Sequence, residues 1–425
     1  RGTVVLLPIT IFVASLGNEA TGAVGVVFSI QSIIQAIGYG FSMGAQSLIS
    51  RSLGEKKREA ADLYAASGFV GAFLLGLVIG VLGLINLPFA MRLFGATEGG
   101  LPYAVSYGRI ILFSAPFFCS YFVMNAVLRA QGKAKLCMAG AVSGAVINIG
   151  LDALLIQGLN MGVTGAALAT VMSQGVSFIL YTVFFLTGQS TVSLNPFKTS
   201  RRIKDYLTVF RVGLPTVFRQ SLGSLSTTLL NIAVRPFGDA TFAAVSIANR
   251  IYMLLRGMLI GVGQGFQPVA GYNFGAGKRD RVKKAFNTAC VIGTAYCFVA
   301  SVVLFCFAEN LIGLFRAGDA EVISIGSTML RYLCFSLIVL GYSTFVNMLF
   351  QSLGFVAPAT LLASCRQGIF FVPLILVLPK FFGLTGIQMT QSLADILTFL
   401  LSVPFHIVFM KKILNDGKSK EKTLI

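Results

Sequence analysis

Long apolar stretches, separated by short polar or charged segments, fill nearly the whole chain. A helix of about 20 apolar residues crosses the roughly 30 Å hydrocarbon core of a bilayer, so this pattern predicts a series of membrane-spanning helices. The predicted spans, twelve in number, lie at residues 3–16, 21–48, 63–87, 102–127, 134–157, 162–187, 207–234, 240–268, 286–308, 327–350, 357–379 and 384–410.

The chain also repeats itself about 221 positions later. The phrase LGNEATGAVGVV from Leu16 corresponds to FGDATFAAVSIA from Phe237, and GFSMGAQSLISRSLGEKKREA from Gly40 corresponds to GVGQGFQPVAGYNFGAGKRDRVKKA from Gly261. A nearly constant offset over most of a half-chain indicates a duplicated unit. Because each unit holds six spans, an even number, the two repeats keep the same orientation in the membrane.

The repeat predicts a domain organisation of two lobes. The first six-helix lobe covers residues 1–187, a polar cytoplasmic linker covers 188–206, the second lobe covers 207–410, and 411–425 form a charged tail. The first span has only about 15 apolar residues, roughly 22 Å at the helical rise, so a shortened or divergent first helix is expected. The fold class is therefore an all-α membrane protein of twelve transmembrane helices in two bundles related by a parallel repeat.

Composition and charge agree with this topology. The chain has 56% hydrophobic residues, 11% charged residues, a mean hydropathy of +0.83 and a net charge of +18. Its basic residues cluster in alternate segments, at 51–58, 129–135, 198–211, 278–284 and 411–422. This is the positive-inside pattern, so both termini are expected in the cytoplasm and the protein in the cell membrane. The charge sets orientation and does not indicate a nucleic-acid partner.

The reactive residue types do not form an enzyme site. Seven cysteines lie in or beside apolar spans without a Cys-x-x-Cys pair, and His406 is the single histidine. No nucleotide-binding loop, nucleophile–base arrangement or zinc spacing occurs. We therefore expect no catalytic residues, no resident metal or cofactor, and no enzymatic activity.

Only two of the fifteen acids, Asp152 and Asp395, lie well inside predicted spans. A carboxylate in hydrocarbon is costly unless it is paired, hydrated or neutralised, so both are candidate functional residues. Asn148 precedes Asp152 by four residues and shares its helix face, and Thr170 lies on the next helix. These three residues suit a site that is alternately ion-bound and empty, although Asn148 and Asp152 also suit a structural hydrogen-bonded pair.

The second lobe is rich in intramembrane arginine. Asp395 suits a structural ion pair with Arg366 or Arg219. If Arg219 and Arg366 instead face a cavity, that lobe favours anionic or zwitterionic substrates. Gln46 and Gln267, which occupy matched positions of the two repeats, are candidate residues that line a substrate cavity.

Several phrases resemble the multidrug and toxic compound extrusion (MATE) family. They are TIFVASLGNEATGAVGVVFSI, GFSMGAQSLISRSLGEKK, NIGLDALLI with GVTGAALATVMSQ, and GVGQGFQPVAGYNFGAGKRDRVKKA, in order along essentially the whole chain. The resemblance implies two six-helix bundles around a central cavity. It also implies export of bulky amphipathic compounds in exchange for inward sodium ions or protons.

The resemblance further implies that Asn148, Asp152 and Thr170 form the cation site of the first lobe, with a sodium ion at Asp152 as the one possible bound metal. It places another Asp on the first helix, where this chain has Ile9. It also places acids on the seventh and tenth spans, whereas residues 207–234 and 327–350 contain none. A second-lobe cation site is therefore not expected.

The sequence thus predicts a secondary antiporter that exports small organic compounds by alternating access and functions as a monomer. A flippase for lipid-linked oligosaccharide or another lipid-like substrate is the alternative, because such proteins also use arginine-lined cavities. A channel is less favoured, since two parallel lobes suit rocking-type alternating access.

Overall fold

The computed structural model describes residues 18–316 and 318–410. Within these residues the chain is helical, with short π- and 3₁₀-segments and no strand. Internal contacts divide the chain into two compact units, Arg1–Val217 and Phe218–Ile425. The division falls inside a long helix, somewhat later than the predicted start of the second lobe at 207, because the beginning of that helix packs against the first unit.

The helices of the first unit follow one another with short connections. They are α1 (Asn18–Gly54), α2 (Arg58–Ile85), the short α3 (Leu87–Leu93), α4 (Leu101–Ala130), α5 (Ala134–Asp152), a π-helical segment (Ala153–Gly158) and α6 (Gly162–Leu186). A 3₁₀ turn (Pro196–Lys198) lies in the linker, and α7 (Ile203–Val234) runs from the first unit into the second.

The second unit repeats this order. After a 3₁₀ turn (Arg235–Phe237) come α8 (Asp239–Gly275), α9 (Arg279–Cys306), the short α10 (Ala308–Gly313), α11 (Ala320–Leu353), α12 (Val356–Ser364), a π-helical segment (Cys365–Ile369) and α13 (Phe371–Phe409). Gly383 interrupts α13 with a φ of 53°, a conformation that glycine adopts without a Cβ penalty. The predicted break between the last two spans lies at this kink.

Nine stretches of the described chain are long and apolar enough to cross a membrane, and the ninth, Val356–Phe409, contains two predicted spans. α7 is not among the nine, and the predicted span at 3–16, with Ile9, lies outside the described residues. Many large apolar side chains point away from the protein, as on α2, where Leu82 and Ile85 are 65% and 74% exposed. The prediction of an all-helical membrane protein is confirmed.

Each unit is built around one buried helix. The span in α4 is 83% buried and the span in α11 is 72% buried, far above the others. Small residues let neighbouring helices approach them: a Cβ on Gly80 of α2 would lie 2.7 Å from the carbonyl oxygen of Leu112 on α4. Close packing at glycine is a common way for membrane helices to associate.

The repeat is visible in a pair of equivalent hydrogen bonds. Nδ2 of Asn125 donates to the carbonyl of Cys137 at 3.5 Å, and Nδ2 of Asn347 donates to the carbonyl of Ala359 at 2.5 Å. In both units the amide crosses a tight turn and reaches the first helical turn of the next helix. Two buried amides at matched positions thus fix the same helix–helix connection.

The linker packs against the first unit through polar contacts. Asp62 on α2 accepts a hydrogen bond of 2.8 Å from the backbone N–H of Ser193, and Arg58 donates to the carbonyl of Thr191 at 2.6 Å. Gln131 accepts a hydrogen bond of 2.8 Å from the backbone N–H of Thr191. The linker is therefore held to the ends of α2 and α4.

Candidate ion-coupling site and cavity of the first unit

Asp152 is the last residue of α5 and is fully buried, with none of its side chain accessible. Asn148, one turn earlier, is 1% exposed. Neither carboxylate oxygen of Asp152 and neither polar atom of the Asn148 amide has a hydrogen-bond partner among the described residues. Four buried polar atoms of one helix face are therefore available to a ligand.

The backbone directly after Asp152 is a π-helical turn, Ala153–Gly158. Such turns shift the register of the side chains that follow and occur frequently at functional sites. The turn brings the carbonyl of Leu155 so close to Gly165 of α6 that a Cβ there would lie 2.9 Å from its oxygen. Glycine at 165 therefore allows α6 to pack tightly beside the end of α5.

Thr170 of α6 and Tyr107 of α4 complete the site. Both side chains are 3% exposed. The Thr170 hydroxyl donates to the carbonyl of Ala166 at 3.0 Å and is also hydrogen-bonded to Tyr107, whose hydroxyl lies within electrostatic range of Asp152. Three helices thus bring polar groups to one buried place. Sequence reasoning named Thr170 and missed Tyr107, whose only signal was a phenol hydroxyl inside an apolar span.

A cavity of about 170 Å³ lies beside this site, within the first unit. Its polar lining consists of amides, hydroxyls and phenols: Gln31, Gln35, Gln174, Ser173, Ser177, Thr170, Tyr39, Tyr107 and Tyr121. The rest of the lining is apolar and includes three phenylalanines: Phe28, Phe118 and Phe122. Thr170 and Tyr107 belong both to this lining and to the surroundings of Asp152, so they connect the carboxylate with the cavity.

The two glutamines predicted to line a cavity lie elsewhere. Gln46 of α1 is 1% exposed and its amide has no partner among the described residues. Gln267 of α8 donates from Nε2 to the carbonyl of Met348 at 3.4 Å and to Oε1 of Gln351 at 3.3 Å. Both belong to packed helices, and the amides that line the first-unit cavity are Gln31, Gln35 and Gln174 instead.

In the second unit Asp395 is bound tightly. It is completely buried on α13 and accepts hydrogen bonds from Nε of Arg366 at 2.7 Å, from the hydroxyl of Tyr252 at 2.5 Å and from Nε2 of Gln391 at 2.8 Å. Nη2 of Arg366 also donates to the Tyr252 hydroxyl, at 3.0 Å. The structure thus brings the predicted pair of Asp395 and Arg366 together.

Arg219, the other predicted partner of Asp395, lies half-buried on α7. It is within electrostatic range of Arg256 on α8. Among the described residues, no group of three or more His, Cys, Asp or Glu side chains is placed to hold a metal ion. A sodium ion at Asp152 stays a prediction.

The sequence matches the MatE family over residues 3–154 and 215–377. The chain is 28% identical over 401 residues to multidrug export protein MepA of Staphylococcus saprophyticus subsp. saprophyticus, covering 92% of this chain and 86% of that protein. It is 27% identical over 391 residues to MepA of Staphylococcus aureus strain MSSA476, covering 91% and 85%.

Solved structures agree with this assignment. The fold is similar, with a TM-score of 0.91 and 24% identity over 99% of this chain and 93% of the other, to an outward-facing multidrug resistance MATE family transporter of the MOP superfamily. It is also similar, at a TM-score of 0.88 and 26% identity over 97% and 93%, to a MOP superfamily transporter from Pyrococcus furiosus described by a binding pocket of reverse polarity that suggests a different function. With two MatE segments that together span most of its length, the chain belongs to the MATE family of membrane transporters.

Proposed function

We propose that this protein exports small amphipathic organic compounds in exchange for an inward-moving proton or sodium ion, with Asp152 as the coupling carboxylate. The observation that carries the proposal is the complete burial of Asp152 without a hydrogen-bond or ion-pair partner among the described residues. A charge in that position is costly unless a cation or a proton neutralises it. Asp152 therefore binds the coupling ion in one state and releases it in another.

The contrast with Asp395 supports this role for Asp152. Asp395 is neutralised by Arg366 and satisfied by three donors, so it has little need of an external cation. A buried pair of this kind is strongly destabilised when one partner is removed, which suits a permanent structural element. We therefore assign coupling to the first unit, since the described residues of the second unit include no unpaired buried carboxylate.

The donor set around Asp152 suits either coupling ion. Oxygen atoms are hard ligands of the type that bind alkali and alkaline-earth cations. Asp152 supplies carboxylate oxygens, Asn148 an amide oxygen, and Thr170 and Tyr107 hydroxyl oxygens. A single carboxylate surrounded by neutral groups also accepts a proton without leaving a net charge in the membrane. Comparing a proton gradient with a sodium gradient distinguishes which of the two ions is coupled to export.

The lining of the cavity supports an amphipathic substrate. Phenylalanine and tyrosine rings supply apolar contact, while amides and hydroxyls bind polar groups with little dependence on their charge. Drug-sized ligands commonly occupy about 300–1,000 Å³, so a cavity of about 170 Å³ holds only part of such a molecule. The MepA relatives are described as multidrug export proteins, which agrees with a substrate of this class.

The coupling ion and the substrate meet at Thr170 and Tyr107. Both residues line the cavity, and Tyr107 lies within electrostatic range of Asp152. An ion that binds Asp152 reorganises these hydroxyls and thereby changes the lining seen by the substrate. Two lobes related by a parallel repeat are the type of scaffold that alternates access by rocking. The Pyrococcus furiosus transporter indicates that this fold does not by itself define the substrate.

The experiment is export of a cationic dye from liposomes that contain the purified full chain, under an imposed proton gradient and, separately, a sodium gradient. We expect export with one gradient in the wild type and its loss in Asp152→Asn. Asp280→Asn, which removes an exposed carboxylate at the beginning of α9, is the matched control and retains export. Equal gradient-driven export by Asp152→Asn and wild type would exclude Asp152 from coupling.

A further inference from the structure

The residues that line the cavity of the first unit correspond, by the internal repeat, to residues of different chemistry in the second unit. Gln31, Gln35 and Gln174 line the first-unit cavity beside the small residues Gly144 and Ala145. All five side chains are uncharged. The first repeat therefore leaves a neutral space at this position.

The residues that occupy the matched positions 221 or 222 places later are Tyr252, Arg256, Asp395 and Arg366, where Arg366 takes the place of Gly144 or Ala145. A tyrosine and an arginine replace two glutamines of α1, a carboxylate replaces the third glutamine, and a long guanidinium replaces a small residue. At these matched positions the second unit thus has mostly charged residues where the first unit has neutral ones.

These charges do not balance. Asp395 is the only carboxylate inside the described helices of the second unit, since Asp239, Asp280 and Glu321 lie in first turns and Glu309 lies at the beginning of a short helix. Arg366 neutralises it through a 2.7 Å ion pair. The carboxylate is therefore already occupied by one guanidinium.

Arg256 remains as a surplus cation. It lies near the middle of α8, half-buried, and forms no hydrogen bond or ion pair with another described residue. It lies within electrostatic range of two other guanidiniums, Arg366 and Arg219, as well as of Asp395. Like charges at membrane depth repel strongly because little solvent screens them. An anion bound at Arg256 would therefore reduce the repulsion among these guanidinium groups.

We infer that Arg256 binds an anionic oxygen group, a carboxylate or a phosphate, of the transported molecule. The planar guanidinium offers paired N–H donors that match such groups. The inference rests on the proposed export function and deepens it: the substrates include amphipathic molecules with an anionic group, which is recognised in the second unit.

The experiment measures binding of carboxyfluorescein, an anionic dye, to the purified full chain in phosphatidylcholine nanodiscs by fluorescence anisotropy. We expect Arg256→Gln to weaken binding about tenfold or more, as is typical when a charge-assisted hydrogen bond is lost. Arg250→Gln, which removes an exposed arginine of the same helix, leaves binding unchanged. Arg256→Lys keeps the charge and loses the planar donors, so its affinity lies between the two.

A second arm identifies the source of the anion. Dye binding is repeated after part of the phosphatidylcholine is replaced by the anionic lipid phosphatidylglycerol. If the dye binds as before, a free organic anion is the ligand; if the lipid displaces the dye from wild type, a headgroup phosphate is the ligand. No dye binding with either lipid, or equal binding by wild type and Arg256→Gln, overturns the inference, and cationic-dye export that depends on Asp152 then still stands.

Discussion

Asp395 accepts a 2.7 Å hydrogen bond from Nε of Arg366, and both side chains are almost completely removed from solvent. In the first unit the buried carboxylate of Asp152 has no such cation among the residues that the structure describes. The two repeats have therefore used an intramembrane carboxylate in opposite ways. One is locked by an ion pair within the protein, and the other is available to an ion from outside.

The first prediction concerns this ion pair. Arg366→Ala leaves Asp395 charged and buried without its main partner, and we expect a loss of about 3–5 kcal/mol in the free energy of unfolding. A fluorescence-detected size-exclusion melt of the purified protein measures the change. The control is Arg331→Ala, which breaks the half-exposed pair with Glu309 and is expected to cost about 1 kcal/mol or less. Equal effects of the two substitutions would contradict the structural role of Arg366.

A second prediction concerns the contact of α2 with α4. A methyl group on Gly80 meets the backbone carbonyl of Leu112 at 2.7 Å, a group that moves only if the helices separate. We expect Gly80→Ala to destabilise the protein by about 1–3 kcal/mol. Gly175→Ala on α6 has open space around its new methyl group and is expected to be neutral or slightly stabilising. Thermal melts of the two variants give the comparison, and a neutral Gly80→Ala is the contrary result.

A third prediction concerns the equivalent amides of the repeats. Asn347→Ala leaves the buried carbonyl of Ala359 without this donor. Asn125→Ala removes the 2.6 Å hydrogen bond from Nδ2 to the Tyr181 hydroxyl and the 3.5 Å one to the carbonyl of Cys137, which still accepts from Tyr181 at 2.9 Å. Each substitution is expected to cost about 1–3 kcal/mol. Because the two sites lie in different units, their effects on the free energy of unfolding are expected to add in the double variant. A double variant no less stable than either single one would indicate that only one of the two amides matters.

The repeat, the helical fold and the order of the helices could all be predicted from the sequence, since apolar length and a constant offset are properties of the chain alone. The break at Gly383 lies between two predicted spans for the same reason. Asp152, Asn148 and Thr170 were recognisable because polar residues in apolar spans are few and a four-residue spacing fixes a common face.

Other features depend on how helices rotate and pack, which local pattern does not define. Gln46 and Gln267 occupy matched positions, yet they lie in packed helices, whereas Gln31 and Gln35 on α1 line the cavity. Gln31 and Gln35 are four residues apart and so share one face of α1, a spacing from which a polar cavity lining could have been predicted. The π-helical turns after Asp152 and around Arg366 have no local sequence signature, because they arise from tertiary packing.

A fourth prediction concerns Tyr107. Tyr107→Phe removes the hydroxyl that is bonded to Thr170 and lies within electrostatic range of Asp152, while it preserves the ring that lines the cavity. We expect normal folding and a rise of up to about tenfold in the ion concentration that gives half-maximal export, corresponding to one lost hydrogen bond. Tyr103→Phe, which alters an exposed tyrosine of the same helix, serves as control. An unchanged ion dependence in Tyr107→Phe would separate this hydroxyl from the ion site.

The most direct test of the account is ion movement driven by the substrate. Liposomes that contain the full chain receive a gradient of a transported dye and no ion gradient, and the counter-flux of protons and of sodium is recorded. The account predicts that the wild type moves one of these ions against the dye and that Asp152→Asn moves neither while it still binds the dye. An undiminished counter-flux through Asp152→Asn would contradict the assignment of coupling to the buried carboxylate of the first unit.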